Sequence, residues 1–243
     1  MIAFRSGING ETSVPVSSIY ETTVAQKFAL GQKYETQDGR LFRYAKAGAA
    51  ALLPGNMTQS VAPVAHHTNI ATGVIVPIGA TQFTYVTTLD TTTSLNQYAG
   101  GYLHVNDATG EGHSYRIKSN TANVKPTIVL DEPILVALAA TSEVTLVKNR
   151  FHDTIIAPTT AQSTWAGVPC IDVPAAYYYW SLVQGEVPIL THGTVVIGNA
   201  VQVGGAAGAV TPLGVNDPLY KQVGTVMTVN ATTEYSAILL DIL

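Results

Sequence analysis

The chain is short of charge. Only 12% of its 243 residues are Asp, Glu, Lys or Arg, about half the usual quarter. No Lys/Arg run exists and the net charge is −4. That removes the electrostatic footprint expected of a nucleic-acid binder. Lys33, Arg40, Arg43 and Lys46 form only a loose group and read as a solvated strand face. Cysteine is nearly absent. Cys170 stands alone, so neither an intrachain disulfide nor a Cys-based zinc site can form. Long apolar runs are missing too. The longest, 133–140, is too short to span a bilayer. The opening MIAFRSGING has no apolar leader segment. The expectation is a soluble protein made in a reducing cytoplasm, with no membrane and no nucleic-acid partner.

Catalytic signatures are equally sparse. There is no G-x-S-x-G elbow and no S-x-x-K motif. Gly204-Gly205-Ala206-Ala207-Gly208 lacks the Lys-Ser/Thr ending of a phosphate loop. The histidines are His66, His67, His104, His113, His152 and His192. His66 and His67 are adjacent, so on a strand they face opposite ways. His104 and His113 are able to meet across a hairpin whose loop holds Asp107 and Glu111. That is the one place where a metal or a hydrolytic site is conceivable, and ordinary turn histidines explain it as well. Cys170, in the apolar stretch VPCIDV, reads as a buried thiol. The chain therefore reads as a non-enzyme with no cofactor and no metal.

Threonine is abundant, at about thirty residues, and there are twelve tyrosines. These types suit a pleated, half-buried surface. Turn signals recur roughly every 8–12 residues, which marks β-sandwich or barrel modules built from hairpins. The stretch YETQDGRLFRYAKAG predicts a hairpin: strands near 33–37 and 41–45 around the Asp38-Gly39 turn. The Ala-rich piece 47–53 reads as a short helix or a loop. The final run, 234–243, is apolar on both parities toward its end and predicts a central or fully covered strand. Residues 1–23, rich in Gly, Ser and Thr, predict an extended N-terminal arm. Beyond it the blocks are 24–68, 69–158 and 159–243, with 24–68 and 159–243 either separate or joined as one domain. The fold class is mainly β.

The densest aromatic cluster is Tyr177-Tyr178-Tyr179-Trp180. On a strand, Tyr177 and Tyr179 share one face, and Tyr178 and Trp180 the other. One face reads as core. The other reads as core, as a subunit interface or as a carbohydrate platform.

Several segments resemble structural proteins of tailed bacteriophages. GQKYETQDGRLFRYAKAGAAALLPGNMTQS is similar to the opening of β-rich head proteins. YAGGYLHVNDATGEGHSYRIKSN and GVPCIDVPAAYYYWSLVQGEVPIL are also similar to phage structural segments. The pieces Gly193 to Val201, Val223 to Val226 and Tyr235 to Leu240 resemble the ending of capsid decoration (cement) proteins. The chain is longer than the simplest of these, and its middle block lies outside their minimal pattern. The resemblance implies a virion protein on the capsid surface that binds the major capsid protein and clamps adjacent subunits. It also implies self-association, as a homotrimer. The residues expected to make contacts are the arm, Arg40, Phe42 and Tyr44 of the hairpin, and Tyr177, Tyr178, Tyr179 and Trp180. A head fibre, tail or baseplate component is the alternative within the particle. A carbohydrate-binding module is the alternative of another class.

Overall fold

A computed structural model describes residues 16–214 and 221–242. In chain order the strands are β1 (Lys33–Glu35), β2 (Leu41–Lys46), β3 (Thr58–Gln59), β4 (Ile70–Ala71), β5 (Gln82–Thr84), β6 (Tyr102–Asp107), β7 (Ser114–Asn120), β8 (Thr127–Leu130), β9 (Glu143–Val147), β10 (Ile155–Ile156), β11 (Trp165–Pro169), β12 (Tyr178–Leu190), β13 (Ala200–Val203), β14 (Val210–Pro212), β15 (Gly224–Val226) and β16 (Tyr235–Asp241). Two 3-10 turns, Val16–Tyr20 and Ala65–His67, are the helical elements among the described residues. None is long and apolar enough to cross a membrane. The chain is mainly β.

It divides into two compact units. Residues 62–149 form the second unit, and the segments before and after them form the first. Both boundaries lie earlier in the chain than the block limits read from the sequence. The reason is that β3 pairs with β10 and β11, and β4 pairs with β9.

The first unit is a ten-stranded antiparallel sheet ordered β10-β3-β11-β12-β16-β15-β13-β14, with β2 and β1 off its path. Its spine is β12. Leu182 pairs with Val168 of β11 on one edge and Phe42 of β2 on the other. The register slips between Leu182 and Gln184, and Gly185 follows at φ 115°. Such a bulge bends a strand and increases its twist. Beyond it β12 pairs residue for residue with β16, from Gln184–Asp241 to Leu190–Tyr235. The sheet curls back at both ends: Thr191 bridges Val210, and Ala47 bridges Thr154. Its core includes Phe42, Ala45, Met57, Val168, Tyr179, Leu182, Ile189, Val201 and Ile238. Hydroxyls inside are bonded across the sheet: Thr58 Oγ1 donates to the Gly167 carbonyl at 2.7 Å, and the Thr154 and Tyr179 hydroxyls share a hydrogen bond at 2.9 Å.

The second unit is a six-stranded antiparallel sheet, β4-β9-β6-β7-β8-β5. Here alternation is clean. Leu103, Val105, Tyr115, Ile117, Ile128, Val144 and Leu146 face the core. Tyr102, His104, Ser114, Arg116 and Lys118 face outward. Sheets with one solvated face read this way.

One expectation is corrected and two are narrowed to one of their alternatives. The predicted arm lies largely outside the described residues, but its last part belongs to the fold: Ile19 is fully buried. Thr23 and Tyr178 also exchange backbone hydrogen bonds at 3.0 and 2.8 Å. The Ala-rich piece is a loop, held by the Leu52–Val173 bridge and by burial of Ala47 and Leu52. β16 is central in pairing, yet only one of its faces is covered. Ser236, Ile238 and Leu240 point inward while Leu239 is 49% exposed.

Candidate functional site

The histidines do not assemble a reactive centre. His104 pairs with Ser114 across the β6–β7 hairpin, so His113, one residue earlier, lies on the opposite face. The rings show the same separation. His104 stacks on outward Tyr102 at 5.9 Å, and His113 stacks on inward Tyr115 at 6.4 Å. His113 Nδ1 also sits 3.0 Å from the Gly110 carbonyl. His66 contacts Asp90 at 3.0 Å. His67 is buried, with its two ring nitrogens on the Tyr98 hydroxyl at 2.5 Å and the Thr91 carbonyl at 2.9 Å. Among the described residues no three His, Cys, Asp or Glu side chains lie together as a metal site requires. Burial pushes the Cys170 thiol up to about 11, with Arg40 opposing only in part. Cys170 therefore stays protonated at neutral pH and is a poor nucleophile.

Most of the contact residues expected from the sequence are core. Phe42, Tyr44, Tyr179 and Trp180 are at most 2% exposed, so no partner can reach them. The cause is that β2 and the first half of β12 are covered on both faces. One face packs into the sheet's interior. On the other, Phe28 and Tyr34 close over the strands. Phe28 lies 5.2 Å from Tyr44 and 5.3 Å from Trp180, and Tyr34 lies 5.6 Å from Trp180. Tyr177 and Tyr178 are half-buried at the margin of this box. Tyr178 stacks on Tyr44 at 5.8 Å, beneath the Lys46 ammonium at 5.8 Å. Of the rings a carbohydrate platform would use, Trp180 is packed against Phe28, Tyr34 and Tyr44, and Tyr179 is buried, which leaves only Tyr177 and Tyr178 part-exposed. Parity alone could not reveal this. The cover comes from upstream, from Phe28 and from Tyr34 of β1.

Arg40 does reach an accessible surface. It walls a groove of about 750 Å³ on the outward side of the first unit, with Asp38, Gly39, residues 184–188 of β12, Met227, and Ala237, Leu239, Leu240 and Asp241. The β12–β16 register builds the floor: Pro188 lies opposite Ala237, Glu186 opposite Leu239, and Gln184 opposite Asp241. The β1–β2 turn makes the side wall. It approaches closely because residue 185 is glycine; a Cβ there would sit 2.7 Å from Arg40 Cγ. Arg40 Nε donates to Asp38 at 2.8 Å. The Thr36 hydroxyl, then Arg40, hold the Asp38 carboxyl below the usual carboxylate range. Glu186 and Asp241 have no cationic partner among the described residues. The groove thus offers an apolar floor beside two uncommitted carboxylates.

The second unit exposes apolar side chains of its own. Segments 72–80 and 134–142 run as a hydrogen-bonded ribbon. Val76 and Leu138 bridge, and the Gly79 N–H donates to the Ile134 carbonyl at 2.8 Å. Val76, Ile134 and Leu138 point inward. Ile75, Ile78 and Leu135 are 70%, 69% and 66% exposed. A contiguous apolar patch on a surface marks an interaction site, and Ile75, Ile78 and Leu135 are the large apolar side chains this ribbon turns outward. The sequence reading missed both surfaces. VIVPIG and EPILVAL look like ordinary core strands until the partner segment is known.

No family model matches the chain. No curated protein matches it, and no solved structure does.

Proposed function

We propose that the protein is a structural component of a tailed-phage particle, a decoration protein that binds the outside of the shell and clamps adjacent major capsid subunits. The resemblance of its segments to such proteins suggested this role. The observation that carries it is the placement of uncovered apolar side chains on hydrogen-bonded frames in each unit: Leu239 and Met227 in the first, and Ile75, Ile78 and Leu135 in the second. Two separate attachment surfaces on one chain are what a clamp needs. Binding at the first raises the effective concentration at the second, so modest contacts add up to tight attachment. A ligand that binds only the assembled shell stabilises that shell by mass action. The groove fits a capsid surface that presents an apolar side chain flanked by Lys or Arg, meeting Leu239, Glu186 and Asp241. Low charge suits this use, since interface centres are depleted in charge.

The test is co-sedimentation of purified protein with mature shells that lack it, together with the melting temperature of the shells. Saturable binding at a fixed ratio to capsid subunits, with a raised shell melting temperature, is the expected outcome. Failure to bind intact shells would remove the decoration role and move the protein to a fibre, the tail or a site outside the particle.

A further inference from the structure

Arg43 and Arg150 stand apart from Arg40, the other described arginine of the first unit. Arg40 pairs with Asp38 at 2.8 Å. Neither Arg43 nor Arg150 forms an ion pair with a carboxylate among the described residues. Both are half-buried. One residue pair holds them together. Arg43 Nη1 donates to the Gly31 carbonyl at 3.0 Å. Gly31 packs on Phe151 so closely that a Cβ would meet its Cδ2 at 3.2 Å. The Arg150 guanidinium lies over the Phe151 ring, 4.9 Å from its centroid. Phe151 is fixed in turn by its carbonyl, which accepts the Lys46 N–H at 2.9 Å.

The surrounding carboxylates are committed elsewhere. Lys33 lies opposite Arg43 in the β1–β2 register and takes Glu35 at 3.1 Å. Asp153 contacts Lys46 at 3.9 Å and His152 at 3.0 Å. Arg150 Nε is enclosed and has no hydrogen-bond partner. Burial first, and then the charge of Arg43, make the Arg150 cation harder to keep. A guanidinium carries five fixed donors shaped for an oxyanion and is not deprotonated in proteins. Two of them against the Gly31–Phe151 pair, part-desolvated and without a carboxylate partner among the described residues, cost free energy that an anion would recover.

We propose that Arg43 and Arg150 form an oxyanion-binding site on the first unit, walled by Phe151, for a free tetrahedral ion of the phosphate or sulfate type or for a carboxylate. The site is distinct from the groove and does not depend on how the protein is used in a particle.

The experiment reads the melting of the first unit by tryptophan fluorescence. Both tryptophans, Trp165 and Trp180, belong to that unit. Phosphate, sulfate and acetate are titrated against chloride at constant ionic strength, and heats of binding are measured by calorimetry on the folded protein. Saturable protection is expected, with a rise of about 4–8 °C when the anion reaches roughly thirty times its dissociation constant. Arg43→Gln and Arg150→Gln abolish that rise; Arg116→Gln, in the second unit, leaves it unchanged. In chloride alone, Arg150→Gln melts no lower than the parent, because it removes an uncompensated cation. A merely structural arginine would give the opposite order. Protection by phosphate or sulfate assigns a free tetrahedral ion, and protection by acetate alone assigns a carboxylate. No saturable binding, or equal binding by the parent and both glutamine variants, would overturn the site.

Discussion

At the scale of single residues, backbone geometry and buried hydroxyls make the sharpest demands. Gly167 sits in β11 at φ 111°, and a Cβ there would run into the Leu182 carbonyl. Gly167→Ala combines a disfavoured dihedral with a backbone clash, so it should destabilise the first unit by about 2–4 kcal/mol. Urea unfolding followed by tryptophan fluorescence measures it; a change under roughly 0.5 kcal/mol would refute the clash. The buried tyrosines give a pH signature. Burial raises the hydroxyls of Tyr85, Tyr98 and Tyr179 well above their ordinary value near 10. The unfolded chain ionises these groups near pH 10, while the folded chain keeps them protonated. Their contribution is complete below pH 10 and is lost as pH rises beyond it. Tyrosinate absorbance should therefore show Tyr85, Tyr98 and Tyr179 ionising only with unfolding. Titration of all twelve tyrosines before any loss of β signal would contradict that burial.

At the scale of elements, register decides what a strand shows to the outside. The hairpin of β1 and β2 was legible from Asp38-Gly39 and the alternation around it. The outward row Pro188, Glu186, Gln184 against Ala237, Leu239, Asp241 was not, because it depends on pairing two segments about fifty residues apart. The final run is compatible with a central or a fully covered strand because Leu239 and Leu240 are alike in chemistry; only pairing tells that it is central and that Leu239 faces out. The aromatic strand failed in the other direction. Its second face is closed by Phe28 and Tyr34, whose approach is a tertiary event. The groove itself is testable at this scale. Leu239→Asp puts a third carboxylate beside Glu186 and Asp241 on an open sheet face. It should lower shell affinity by about tenfold or more, equivalent to roughly 1.4 kcal/mol, while leaving the melting of the first unit within a few degrees. Ile75→Asp should do the same from the second unit. Unchanged affinity in both variants would discard these surfaces as contacts.

At the scale of the whole molecule, the two units differ in ways that can be read separately. Tryptophan emission reports the first unit alone, whereas Tyr85, Tyr98, Tyr102 and Tyr115 belong to the second. Replacing residues 62–149 with a short Gly-rich turn should leave the first unit folded, with its tryptophan emission and its melting midpoint preserved within about 5 °C. An unfolded product would mean that the first unit depends on the second. The fold class was visible in composition and turn spacing. The division into units was only half visible, since it rests on strands of two residues that carry no periodic signal. Those short strands have a further consequence. The chain leaves the first unit from β3 and re-enters at β10, and these two are hydrogen-bonded neighbours; it enters the second at β4 and exits from β9, which are neighbours as well. Each crossing is thus a single antiparallel doorway, equivalent to a hairpin loop. A gene could acquire, lose or exchange the entire 62–149 segment through one insertion point without shifting a single strand pairing on either side.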